Sequence, residues 1–250
     1  MKNNIKIVLL ALVVFVAACT KPKEVEEPAT KASVNLVFGS KINGVLLEKN
    51  SIIYTNEAQL KFGAAVLKYV LSNVTLTKND NTTIVLPKIY IIDAFTPSMQ
   101  SIQMADVPNG SYKKVSFNLG VEPGRNTNGT QEELFEAMNK GMIWTWATGY
   151  IFFKHEGKFI NSQDSTKSLV YHLGSDSAYN ATPISFPINL EVSGVAKYIN
   201  INFDASKMYN NPVIDFENGS NRQSNFPNDS QWIKDMKANV QDAFTLGTIE

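Results

Sequence analysis

Two of the chain's three tryptophans and one of its two histidines fall between Gly141 and Gly157, in the order Met142, Trp144, Trp146, His155. An imidazole or a thioether can ligate a metal, and an indole can be oxidised, but an unmodified indole N–H only donates a hydrogen bond. Glycines at 141, 149 and 157 punctuate aromatic and β-branched residues, so the stretch reads as one interior strand. Residues two apart on a strand share a face, which stands Trp144 and Trp146 together with Met142 before them. Such a pair fills a core, with one partner needed for each N–H, or forms a ligand or redox surface. His155 lies an odd number of residues from Trp146 and faces the other side unless a bulge intervenes. The remaining histidine is His172.

The rest of the composition limits what these residues can be used for. With 23 basic and 23 acidic residues, the 250-residue chain carries no basic field for nucleic acid, and losing Lys2 and Lys6 would leave it slightly acidic. Those lysines precede the apolar run Ile7 to Val16, too short to span a bilayer, so residues 1–18 read as a signal peptide. The run ends Val16-Ala17-Ala18-Cys19, which looks like a bacterial lipobox with Cys19 as the lipidated first residue. Cys19 is the single cysteine, so disulfides and thiolate metal sites are excluded and any metal must use His, Met, carboxylate, backbone or modified side chains. Residues 19–32 are the lipidated end and a polar, proline-bearing tether.

The elements that would position the site follow from residue 33 to 250. Val34, Leu36 and Phe38 alternate as a strand, and Val66–Thr77 forms a hairpin through Asn79-Asp80-Asn81 into Thr83–Leu86. Ile89–Ile92, Tyr112–Leu119, Ser168–Leu173, Thr182–Val192 and Tyr198–Phe203 are further strands, with Pro183 and Pro187 placing Thr182–Val192 at an edge or a bulge. Gln131–Lys140 is a short helix feeding the tryptophan stretch. Asp204 caps a turn over Ala205–Tyr209, and Asp229 or Ser230 caps a C-terminal helix running to about Phe244, with Ile233, Met236, Val240 and Phe244 on its packed face. The fold class expected is all-β: an antiparallel sandwich or barrel-like domain with a short internal helix and a C-terminal helix.

An ordered series of segments also resembles the MbnP-like family, whose best-known members accompany methanobactin systems. It runs through Tyr54-Thr55-Asn56, Leu67–Leu76, Val107-Pro108-Asn109-Gly110-Ser111-Tyr112, Val115–Val121, Asn126–Gly129, Met142–Gly157 and Tyr171-His172-Leu173-Gly174, over residues 34–216. The resemblance implies a secreted or lipid-anchored β-rich protein of the cell envelope that binds copper. In that family a di-haem partner related to cytochrome c peroxidases oxidises a tryptophan to kynurenine, which joins histidine at the metal. Carried onto this chain, Trp146 and Trp144 are the tryptophan candidates, His172 the first histidine candidate and His155 the second, with Met142 or Met104 able to complete a cuprous site. Two histidines are few for such a site.

A second reading is a metal-free surface module for glycan or protein, with Tyr150, Tyr179 and Trp232 as stacking rings. An enzyme is not expected: the chain has no Gly-x-Ser-x-Gly elbow, no His-Glu-x-x-His and no phosphate-cradling glycine loop. Glu132 and Glu136 read as a solvated helix face.

Overall fold

The computed structural model describes residues 30–145, 147–225 and 230–250. The proposed leader, Cys19, most of the tether, Trp146 and Asp229 lie outside the described residues. In chain order the first strands are β1 (Lys31–Ile42), β2 (Val45–Leu46), β3 (Tyr54–Thr55), β4 (Lys61–Lys78), β5 (Thr83–Leu86), β6 (Tyr90–Asp93), β7 (Ser101–Pro108) and β8 (Gly110–Leu119). Helix α1 (Gln131–Asn139) precedes β9 (Ile143–Thr145), β10 (Gly149–Ile160), β11 (Thr166–Gly174), β12 (Ile184–Val192), β13 (Lys197–Asp204) and β14 (Asn221–Gln223). Helix α2 (Gln231–Asp242) and β15 (Phe244–Ile249) end the chain. Among the described residues no helix is long and apolar enough to cross a membrane.

The strands form two sheets, as expected of an all-β sandwich. One runs β15-β13-β1-β2, with β7 also paired to β1; the other runs β12-β8-β4-β10-β11-β14, with β3, β5 and β6 on β4 and β9 on β10. The pairing is mixed, not wholly antiparallel, because β1 lies parallel to β13 and β11 parallel to β14. β1 alternates buried and half-buried residues along most of its length, turning Val34, Leu36, Phe38 and Ile42 inward. Phe38 meets Tyr69 of β4 and Phe117 of β8 edge-on, and Phe203 and Phe244 close on the same Tyr69. Each buried ring of this kind contributes about 1.5–3 kcal/mol relative to exposure, so this inter-sheet aromatic cluster is what joins the layers.

The eighteen residues of β4 organise the second sheet. Tyr69 pairs with both Ile92 and Phe153, and Leu71 with both Tyr90 and Leu119. Since β6 occupies one side of β4 there, β10 and β8 must share the other side, end to end. The sheet forks at that junction, and residues 120–148 leave one branch and return on the other. The Ser72 hydroxyl donates to the Gly120 carbonyl at 2.7 Å and the Gly120 N–H donates to Val70, which holds the fork.

The stretch from Gly141 to Gly157 is not one strand. It breaks at a turn in which the Thr148 N–H donates to the Thr145 carbonyl, and β9 folds back on β10 with Thr145 paired to Gly149. Two further strands run where none was expected: β7, along β1, and β15, which follows α2 and pairs Phe244 with Phe203. Helix α2 ends at Asp242 because the chain is needed as that edge strand. It buries Ile233, Met236 and Val240, and its buried Asn239 donates to the carbonyls of Met208 and Pro212 at 3.2 and 3.0 Å. As the prolines required, β12 lies at the end of its sheet and its register breaks between Pro187 and Leu190.

Candidate functional site

The site is built on the outer face of β10 and β11, beside the fork. In the antiparallel register His172 lies opposite Lys154, and Tyr171 opposite His155. The two histidines therefore face opposite sides of the sheet, and the structure does not bring them together.

His155 points into the core. It is fully buried, Nδ1 shares a hydrogen bond with the Tyr209 hydroxyl, and the rings of Phe62 and Tyr209 pack on it at centroid distances of 6.2 and 5.8 Å. Burial pulls its pKa from 6.5 down to about 4, against a small opposing pull from Glu156 and the Gly63 carbonyl, so the ring is neutral at pH 7. It is a core histidine tied to a tyrosine.

His172 points outward but is still mostly covered, with its side chain 11% exposed. Its Nε2 lies 2.8 Å from Oε1 of Glu156, and the same oxygen is 3.1 Å from the Lys154 ammonium. Burial by itself would raise the Glu156 carboxyl, but the hydrogen-bonded Lys154 and His172 outweigh it and hold the group ionised below its ordinary range. For His172 burial wins over the carboxylate, and its pKa falls. Its Nδ1 is buried and makes no hydrogen bond, although Gln223 stands beside it across the β11–β14 pairing.

Trp144 reaches this face from β9. A Cβ placed on Gly174 would lie 2.6 Å from both Cη2 and Cζ3 of the indole, so the six-membered ring lies over that glycine. Gly174 is two residues beyond His172 on β11, hence on the same face and roughly 7 Å along the strand. The Trp144 N–H is also buried without a hydrogen-bond partner. Two unpaired buried nitrogens on one face, an imidazole lone pair and an indole N–H, are costly to leave unmatched and mark a place where something is meant to bind or to change.

The loop residues fix how β9 is aimed. Thr130 caps α1 in a reciprocal box with Glu133, and Arg125 joins that carboxylate. At the other end of α1, Lys68 donates to the Lys140 carbonyl at 3.1 Å and Lys154 to the Gly141 carbonyl at 3.3 Å, two cations where the helix dipole is negative. Lys68 is itself paired to Asp93 at 3.3 Å. From the opposite side, Asn126 accepts the Tyr150 N–H at 2.9 Å. The hairpin that carries Trp144 is thus held at both ends, with Lys154 linking its base to the carboxylate that holds His172.

Of the residues marked from sequence, the structure brings together Trp144 and His172. His155 is on the other face, Met142 is buried in the apolar core, and Met104 lies on the inward face of β7 in the other sheet. Trp146 lies outside the described residues. Among the described residues no three of His, Cys, Asp and Glu gather into a ready-made metal cage. The donors present fit copper through one imidazole nitrogen directly, and through a tryptophan only after oxidation, because the indole N–H cannot donate a lone pair.

Lys154, Glu156 and Gly174 were not singled out from sequence as site residues. Two charges at alternate positions of an otherwise apolar strand did mark an outward face, but only the register shows that His172 shares it. The glycan platform is not assembled either: Tyr150 is fully buried, and Tyr179 and Trp232 are packed against the core.

Gly174→Ala is expected to lift Trp144 from its seat. The added methyl meets the indole at 2.6 Å and the Tyr150 carbonyl at 2.4 Å, an overpacking worth about 1–3 kcal/mol. Red-shifted, more quenchable tryptophan fluorescence with the β-sheet spectrum retained is the result that checks it.

The fold and site define a mixed β-sandwich with a tryptophan hairpin laid over an oriented, outward-facing imidazole. The MbnP family model matches residues 31–227, and the chain belongs to the MbnP family. A solved structure, MbnP from Methylosinus trichosporium, aligns with a TM-score of 0.47 at 14% identity over 74% of this chain and 79% of that one. No curated protein matches the chain.

Proposed function

We propose that this protein is a lipid-anchored copper-binding protein of the cell envelope, with the metal held at the outer face of β10 and β11. The single observation that carries the reading is the His172 ring, whose Nδ1 is buried and unpaired while its Nε2 is held by Glu156. A ligating histidine has that form, one nitrogen free and the other fixed by a carboxylate.

His172 supplies the imidazole donor. Trp144 or Trp146 supplies the rest after oxidation to kynurenine, as the family resemblance implies. That conversion adds one oxygen atom to each of the indole's C2 and C3 as their bond breaks, and water then removes the formyl carbon as formate. The ketone and aniline that result carry lone pairs the indole lacks. The oxidant is supplied from outside, by a partner of the di-haem peroxidase class. Copper bound here would be sequestered and presented, without a catalytic step by this chain.

The test is copper content and peptide mass on protein purified from its native host. One copper per chain, with the kynurenine mass change at Trp144 or Trp146, is expected; His172→Asn should lose the metal while His155→Phe keeps it. Copper retained by folded His172→Asn at the wild-type level would overturn the assignment.

A further inference from the structure

We propose that Glu156, clamped by Lys154, is a positioning residue that locks His172 as the Nε2–H tautomer and so makes Nδ1 the atom that meets copper. The proposal rests on the copper reading above, but the tautomer it assigns exists without the metal.

The argument is one of donors and acceptors. The Lys154 ammonium has only protons to give, and it lies 3.1 Å from Glu156 Oε1. An ionised carboxylate has only lone pairs, so the 2.8 Å contact from that same oxygen to His172 Nε2 requires the proton on the ring nitrogen. Both contacts converge on one oxygen, which fixes the carboxylate from two directions.

A neutral imidazole carries one proton, and with that proton on Nε2 the lone pair belongs to Nδ1. Burial favours the neutral ring, since the His172 pKa is lowered. Nδ1 is the atom left buried with no hydrogen bond. The nearby Gln223 amide makes none with it, and its side chain instead donates to Asn221 at 3.3 Å.

The strand register explains why only Glu156 can do this. It pairs with Val170, one step along from the Lys154–His172 pair, and so reaches His172 diagonally across two strands. On the other flank Lys68 is opposite Lys154 and is occupied by Asp93, which leaves Lys154 for Glu156. The remaining hydrogen bond of Lys154 goes to Gly141, so the carboxylate clamp also ties down the base of the Trp144 hairpin.

The test reads the ring with and without metal. In ¹⁵N-histidine-labelled, metal-free protein the His172 ring should show a protonated Nε2 and a bare Nδ1. Adding cuprous ion should shift the Nδ1 resonance and leave Nε2 protonated. Glu156→Ala should mix the tautomers and weaken cuprous binding about 10–100-fold in competition with a chromophoric chelator. Glu156→Gln, whose amide oxygen can still accept from Nε2, should restore the tautomer and most of the affinity. The His155 resonances, unchanged throughout, certify the fold.

A bare Nε2 in the wild-type protein overturns the proposal, as does Glu156→Ala with tautomer and affinity both unchanged. If His172 is essential for copper while Glu156→Ala binds as tightly as wild type, the positioning role falls and the copper reading stands. If the tautomer is as assigned but no variant, nor the wild type, takes up copper, the copper reading falls instead.

Discussion

Lowering the pH from 6.5 toward 4 is expected to remove on the order of 3 kcal/mol of stability, through His155 alone. The native ring resists protonation until about pH 4 because it is fully buried, whereas in the unfolded chain it protonates at about its ordinary 6.5. Between those values the unfolded state binds more protons, so stability falls as pH falls through the window. Below the lower value the ring is charged in both states and adds no further loss. His172, also lowered by burial, acts in the same direction. Urea unfolding at pH 7 and pH 4.5 reads the difference directly.

His155→Phe should flatten that dependence but cost about 1–3 kcal/mol at neutral pH, because the Tyr209 hydroxyl is left buried without its partner. Adding Tyr209→Phe removes the orphaned hydroxyl and should recover most of that cost. A pH profile equally steep in the double variant would assign the acid sensitivity elsewhere, to the ion-paired carboxylates Glu136 and Glu156, whose pKa values are lowered.

Gly157→Ala is expected to be more damaging still, on the order of 3 kcal/mol, or roughly 10 °C in Tm. A Cβ at this position would sit 1.9 Å from the Gly63 carbonyl oxygen, and backbone cannot swing aside as a side chain can. The two strands would have to part at the bulge between Glu156 and Gly157, where the β4–β10 register already shifts. Glu156 is the residue at that bulge, so the variant should also loosen His172. Gly44→Ala makes the useful contrast. It meets nothing within 4 Å and bears only the strain of a positive φ of 83°, about 1–2 kcal/mol. Equal losses in the two variants would show that the close approach at Gly157 is relieved at little cost.

How much of this could be read in advance differs from element to element. α1 was legible because Thr130 and Glu133 have the spacing of a capping box, and the helix runs from Gln131 as expected. The cap on residues 205–209 was legible in Asp204, whose carboxylate accepts the Ser206 N–H at 3.0 Å. The break inside Gly141–Gly157 was not legible. Thr145, Ala147 and Thr148 carry no glycine, proline or asparagine turn signal, and aromatic residues on both sides extend the strand pattern across it. β15 was hidden because its first residue, Phe244, continues the apolar spacing of α2.

The site divides in the same way. His172 and Trp144 were marked by their chemistry, and parity on a strand already set His155 apart. The partnership of His172 with Glu156 was invisible, because the two residues are sixteen apart and meet only through the register of β10 and β11.

By itself, then, the amino-acid sequence determined a β-rich chain without usable thiols, the family it belongs to, and the few side chains able to serve a metal or an oxidation. Those are properties of residue types and local order along the chain. Only the tertiary structure decided which face each of them occupies, because a one-residue shift in strand pairing exchanges the two faces of a sheet. That choice sent His155 into the aromatic core as a structural ring and turned His172 outward, beside a tryptophan and against a clamped carboxylate.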